Sequence, residues 1–143
     1  MKKNIWLYVS IICTLFIWIQ SLLPGSVSSQ QSGLIVTFGL KILNILHINI
    51  NENVFHTVIR KLAHFTEFFI LAFLWMKTLN KKYMKVFIIV LMVAMIDETL
   101  QFIHVDRSSA ITDVLIDVLG SLFMLFMYKI YDLLYNRNVF VKK

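Results

Sequence analysis

Residues Val58–Leu79 read VIRKLAHFTEFFILAFLWMKTL. The second half is apolar almost without a break. The first half sets Arg60, Lys61, His64 and Glu67 among Leu, Ala and Phe. A helix of roughly 20 residues, rising ~1.5 Å per residue, covers the ~30 Å of a bilayer's hydrocarbon. On such a helix positions 60, 64, 67 and 71 stack on one face, so Arg60, His64 and Glu67 look the same way. A spanning stretch with an ionisable stripe must turn that stripe toward protein or water.

Three other runs have the same length and character: about 5–23, about 84–103 and about 111–133. The first is closed by Pro24-Gly25 and a Ser/Gln-rich turn. The whole chain agrees with them. Of its 143 residues 59% are apolar and 15% charged, and its mean hydropathy is +0.76. A soluble domain has about 25% charged residues, and too few polar groups are present here to cover a water-facing globule. Disorder, collagen and a disulfide scaffold are excluded as well. The single Cys13 closes no internal bridge and sits among apolar residues. The net charge of +6 forms no basic stripe interleaved with aromatics, so no nucleic-acid partner is expected.

Lys2-Lys3 before the first run and Ser26-Val27-Ser28 after it resemble a signal peptide. Its apolar core exceeds the usual 7–15 residues or so, which favours a retained span. Between the first two spans, residues 34–50 place Thr37, Lys41, Asn44 and His47 or Ile48 at helical spacing, with an apolar stripe opposite. This is the pattern of a short helix in the interface plane. The expectation is an all-α membrane protein: a single domain over 1–143, with four transmembrane helices plus one short interfacial or re-entrant helix.

Charge sets the orientation. Four spans put Lys2, Lys3, Lys77, Lys81, Lys82, Lys85, Lys129, Arg137, Lys142 and Lys143 on one side, ten of the fourteen basic residues. By the positive-inside rule both termini are cytoplasmic, in a multi-pass membrane protein. A fifth span at 34–50 would move Lys77–Lys85 outside.

The ionisable residues within the spans then gather toward the outer face. The third span ends with Asp97, Glu98 and Gln101 in one helical sector, and the fourth opens with Asp113 and Asp117 at i, i+4, followed by Gly120 and Ser121. Arg107 lies in the loop between them. Counting ~1.5 Å per residue from each outer end, Glu67, Asp97 and Asp117 lie about 10 Å deep. Arg60, Lys61 and Arg107 face five carboxylates, so the balance calls for protons, a charged His64, a bound cation or water. An ion-pair network that only fixes helix packing is the plain alternative to an outward-open polar cavity.

Specific chemistry has less support. His64-x-x-Glu67 with Asp97 and Glu98 offers metal-ligand atom types, but no HExxH or Cys/His spacing accompanies them, so neither metal nor cofactor is expected. No nucleophile elbow or phosphate loop occurs. His47, His56 and His104 read as interfacial, and Trp6, Trp18 and Trp75 as packing or headgroup-level anchors.

The string Arg60-Lys61-Leu62-Ala63-His64-Phe65-Thr66-Glu67-Phe68, then Asp97-Glu98-Thr99-Leu100-Gln101-Phe102, then Arg107 with Asp113 and Gly120, resembles the VanZ-like family. Ser21-Leu22-Leu23-Pro24 is similar to that family's S-x-x-P after its first span. Asp117 departs from the pattern, which usually has Asn there. The resemblance implies a small polytopic protein of the bacterial cell membrane, part of a Gram-positive-type envelope, from a family whose namesake is associated with low-level resistance to the glycopeptide teicoplanin.

The functional expectation is an outward-facing intramembrane site formed by Arg60, Lys61, His64, Glu67, Asp97, Glu98, Gln101, Arg107, Asp113 and Asp117. It would bind an amphipathic anionic ligand, lipid-linked or a lipoglycopeptide, among membrane lipids. Arg60, Lys61 and Arg107 would hold phosphate or carboxylate groups. Two rivals stand beside it. One is an enzyme on an envelope lipid with His64 and a carboxylate as acid–base pair. The other is a structural partner subunit. Oligomeric state is not legible.

Overall fold

A computed structural model of the chain describes residues 2–103 and 111–141. It has five helices: α1 Lys2–Ser21, α2 Gly25–Ile45, α3 Glu52–Thr78, α4 Tyr83–Gln101 and α5 Ile111–Val141. No strand occurs among the described residues.

Local chemistry explains the ends. Leu23 precedes a proline and is biased out of the helical region, so α1 stops at Ser21. Pro24, with φ −54°, then opens α2. Here the structure corrects the expected short helix at 34–50. The helix begins nine residues earlier, at Gly25, and ends at Ile45. The Ser/Gln-rich stretch taken for a turn is its first part, because Pro24 has already set the direction. α1 and α2 meet at 108°. The Asn51 side chain accepts from the Asn53 backbone N–H at 2.9 Å and starts α3 before Val58. Glu52 in the first turn and Lys77 in the last both complement the helix dipole.

α3 packs against each of the other four helices, most extensively against α5. The two run parallel in nearly constant register. Arg60 meets Asp113, His64 meets Asp117, Phe69 meets Phe123, Phe73 meets Tyr128 and Lys81 meets Asp132. At Gly120 the helices touch backbone to backbone, and a Cβ there would overlap the Phe65 carbonyl oxygen. α1 and α4 are also parallel to each other, with Trp18 Nε1 donating to the Val93 carbonyl and Ser21 bonded to Asp97. At the opposite end Ser10 and Thr78 share a buried hydrogen bond of 2.8 Å between α1 and α3. The order α1, α3, α4, α5 therefore alternates in direction, with α2 inserted at the Ser21 end.

The apolar core is Ile17, then Phe68, Leu71, Ala72 and Met76 of α3, Val86, Val90, Val93 and Ala94 of α4, and Met124 and Leu125 of α5. Cys13, Trp18 and Trp75 pack against it. The polarity outside is inverted relative to a water-soluble bundle. Ile12 is 64% exposed while Asp97 and Asp117 are 0% exposed. By length and composition alone, one described helix segment, Ile111–Tyr135, is apolar enough to cross a membrane; α1 with α2 qualifies only as a bent pair. α3 and α4 hold Arg60, Lys61, Glu67 and Lys77, and Lys85, Asp97 and Glu98 respectively, which keeps their hydropathy lower.

Candidate functional site: a buried polar cluster at one end of the bundle

The ionisable residues converge where α1, α3, α4 and α5 meet, at the end capped by α2. Their positions follow from helical periodicity. Asp97, Glu98 and Gln101 continue the buried face of α4 that begins with Val86 and Val90. Asp113, Asp117 and Gly120 share the α5 face that meets α3, and Arg60, His64 and Glu67 lie one turn apart on α3.

Two pairs tie α3 to α5. Arg60 donates to Asp113 Oδ2 at 2.9 Å, with the arginine side chain 36% exposed and the aspartate buried. His64 Nδ1 stands 3.2 Å from Asp117 Oδ1, a contact without the alignment of a hydrogen bond. Among the described residues neither oxygen of Asp117 has an aligned hydrogen-bond partner, though its residue exposure is 0%. Asp97 is held from two sides: the Ser21 hydroxyl donates to Oδ1, and the Gln101 amide donates to Oδ2 at 2.9 Å. One donor atom each from His64, Asp97 and Asp117 lie within 4.8 Å of one another. Glu67 is close enough to interact electrostatically with all three.

A cavity of about 190 Å³ opens beside this group. Its polar wall comes from Gln20, Ser21, Ser32, Arg60, His64, Glu67 and Gln101, and its apolar wall from Ile17, Ile35, Ile59 and Ala63. α2 is fastened over it by Ser32, whose hydroxyl is 2.9 Å from His56 Nε2. A larger, almost wholly apolar groove lies at the lysine-rich end, between Tyr83, Met84 and Phe87 of α4 and Leu122, Leu125, Phe126 and Lys129 of α5.

Of the ten residues singled out in sequence, Arg60, His64, Glu67, Asp97, Gln101, Asp113 and Asp117 are gathered by direct contacts or by the shared cavity. Glu98 is buried on α4 at 7% exposure. Lys61 is half-buried and joins no ion pair of the cluster among the described residues. Arg107 and His104 lie outside the described residues. Arg60 spends one nitrogen on its pair with Asp113. Ser32 was missed, and Ser21, noted only in its motif before Pro24, was not assigned to the site. The available signal for Ser21 was Pro24: by ending α1, it fixes Ser21 in the last turn, against α4.

The described helices form a bundle with apolar flanks and a charged interior at one end, and one segment, Ile111–Tyr135, is long and apolar enough to cross a membrane. The family model for VanZ/LLP1 matches residues 5–133, and the chain belongs to that membrane-associated family. No curated protein and no solved structure matches the chain.

Proposed function

We propose that the protein is a four-span component of the bacterial cell envelope whose outward-facing cavity holds the headgroup of an amphipathic anionic ligand, contributing to glycopeptide resistance of the teicoplanin type. α1, α3, α4 and α5 have 20, 27, 19 and 31 residues, and at ~1.5 Å per residue even the shortest approaches the ~30 Å of hydrocarbon. α2 lies at the outer boundary. Exposed Ile5, Ile12, Ile19, Met92, Leu119 and Phe126 face acyl chains, an environment that makes their exposure favourable. Lys77, Lys81, Lys82, Lys85 and Lys129 mark the cytoplasmic end.

The observation that carries this reading is the 190 Å³ cavity with a charged wall and an isoleucine rim. Pockets that enclose a drug-sized molecule are about 300–1,000 Å³. This one suits a headgroup, with the rest of the ligand lying in lipid or water. Arg60 uses one donor on Asp113 and retains others, at 36% exposure, for an anionic group. Native mass spectrometry of the purified protein, with and without added teicoplanin, tests it. A bound lipid or glycopeptide that is lost in Arg60→Ala supports the proposal; bare protein in every preparation contradicts it. The 3.2 Å His64–Asp117 contact favours a second reading, an acid–base pair acting on an envelope lipid. That reading gains if the retained lipid is chemically altered by wild type and left intact by His64→Ala.

A further inference from the structure

Asp117 is fully buried, and among the described residues neither of its oxygens accepts an aligned hydrogen bond. Burying a carboxylate in that state is costly unless it takes up a proton, pairs with a charged His64 or receives a cation. His64 Nδ1 is beside it, also buried and also without a hydrogen-bond partner. Asp97 supplies the third donor, all within 4.8 Å. Around a tetrahedral ion with bonds of ~2.0–2.1 Å, neighbouring donor atoms stand about 3.3 Å apart. The 3.2 Å between His64 and Asp117 already has that length. For the remaining separations the excess is at most about 1.5 Å over such an edge, within reach of a side-chain rotation.

We infer that His64, Asp97 and Asp117 bind a divalent first-row transition-metal ion, with coordination positions left open toward the cavity for an anionic headgroup. One imidazole and two carboxylates suit Zn²⁺, which tolerates mixed N/O sets and keeps an open position where only three protein ligands are present. Two charges on the ion offset two carboxylates, which a neutral histidine does not. Ser21 and Gln101 orient Asp97 from behind, the supporting role that ligating carboxylates generally require. The inference rests on reading the cavity as a ligand site, and it names the means by which a pocket that meets the cluster through His64 and Glu67 accepts an anion.

The test is titration of ZnCl₂ into detergent-solubilised, EDTA-stripped protein by calorimetry, with thermal unfolding in parallel. The expected result is one Zn²⁺ per chain and a raised unfolding midpoint. His64→Ala and Asp117→Asn weaken binding at least about tenfold, and Ser21→Ala about 10–100-fold, the range seen when an orienting partner is lost. Asp132→Asn, at the other end of the bundle, leaves binding unchanged. Circular dichroism and monodispersity establish that each variant is folded. No saturable binding by wild type, or equal binding by folded Asp117→Asn, overturns the inference. Native mass spectrometry before and after EDTA separates it from the ligand proposal. Lipid that remains bound after the metal is stripped refutes the bridging role and leaves the cavity proposal standing. Zinc binding with no lipid in either state upholds the metal site and removes the ligand.

Discussion

The Phe65 carbonyl lies directly against Gly120, and this backbone contact between α3 and α5 holds His64 and Asp117 opposite each other one residue and one turn away. A methyl group at 120 meets rigid backbone, not the end of a flexible side chain. Gly120→Ala is therefore expected to lower stability by about 1–3 kcal/mol, as overpacking does. Gly33→Ala in α2 meets nothing within 4 Å and should be neutral, or stabilising by up to ~1 kcal/mol through helix propensity. Thermal unfolding in detergent distinguishes them; equal midpoints would contradict the close approach.

Arg60 and Asp113 form a half-exposed pair, between the exposed limit of up to ~1 kcal/mol and the ~3–5 kcal/mol for breaking a buried one. Arg60→Ala alone should cost about 2 kcal/mol by leaving Asp113 buried without its arginine. Adding Asp113→Asn should restore part of the loss. A double-mutant cycle reads the coupling, and strict additivity would show that the pair does not interact.

A working site and a packing network respond differently to substitution. His64→Ala, Glu67→Gln, Asp97→Asn and Arg107→Ala are each expected to abolish resistance while membrane abundance stays near wild type. Immunoblots of membrane fractions, run beside susceptibility assays, check this. Abundance that falls in step with activity would assign the cluster to architecture.

At the other end, Lys81 donates to Asp132 Oδ1 at 2.6 Å, and this hydrogen bond holds the exposed ammonium protonated above the usual lysine range. A raised folded-state value means that the pair stabilises fully below about pH 10.4 and fades as pH rises through the higher value. Being exposed, it should be weak and sensitive to salt. Wild type and Lys81→Ala should differ slightly at low salt near neutral pH and converge at strongly alkaline pH. A gap that widens with pH would reverse the assignment.

Much of this arrangement is legible from spacing alone. The residues at 60, 64 and 67, at 97 and 101, and at 113 and 117 are each one turn apart, so helix formation alone puts each set on one face. Their convergence follows once apolar Leu71, Val90 and Met124 are buried on the same faces. Residues 25–33 were misread because serine and glutamine look like turn formers locally, whereas Pro24 at the preceding position decides the matter. Ser21 was visible only as part of the Ser21-Leu22-Leu23-Pro24 motif; its role comes from a contact with Asp97, 76 residues away, which spacing along one helix does not encode. The grouping of His64 with Asp117 was hidden for a similar reason. His64 and Glu67 are neighbours in sequence, but the nearest donor to His64 comes from another helix, Asp117.

The central claim is that the charged end of the bundle faces outward from the cell. Cysteine labelling on intact cells, in a Cys13→Ala background, measures this directly, with single cysteines at Gln30 in α2 and Lys82 in the α3–α4 turn. The account predicts that a membrane-impermeant maleimide labels position 30 and reaches position 82 only after the cells are permeabilised. Labelling of position 82 in intact cells, with position 30 protected, would place the cluster on the cytoplasmic side and contradict the account.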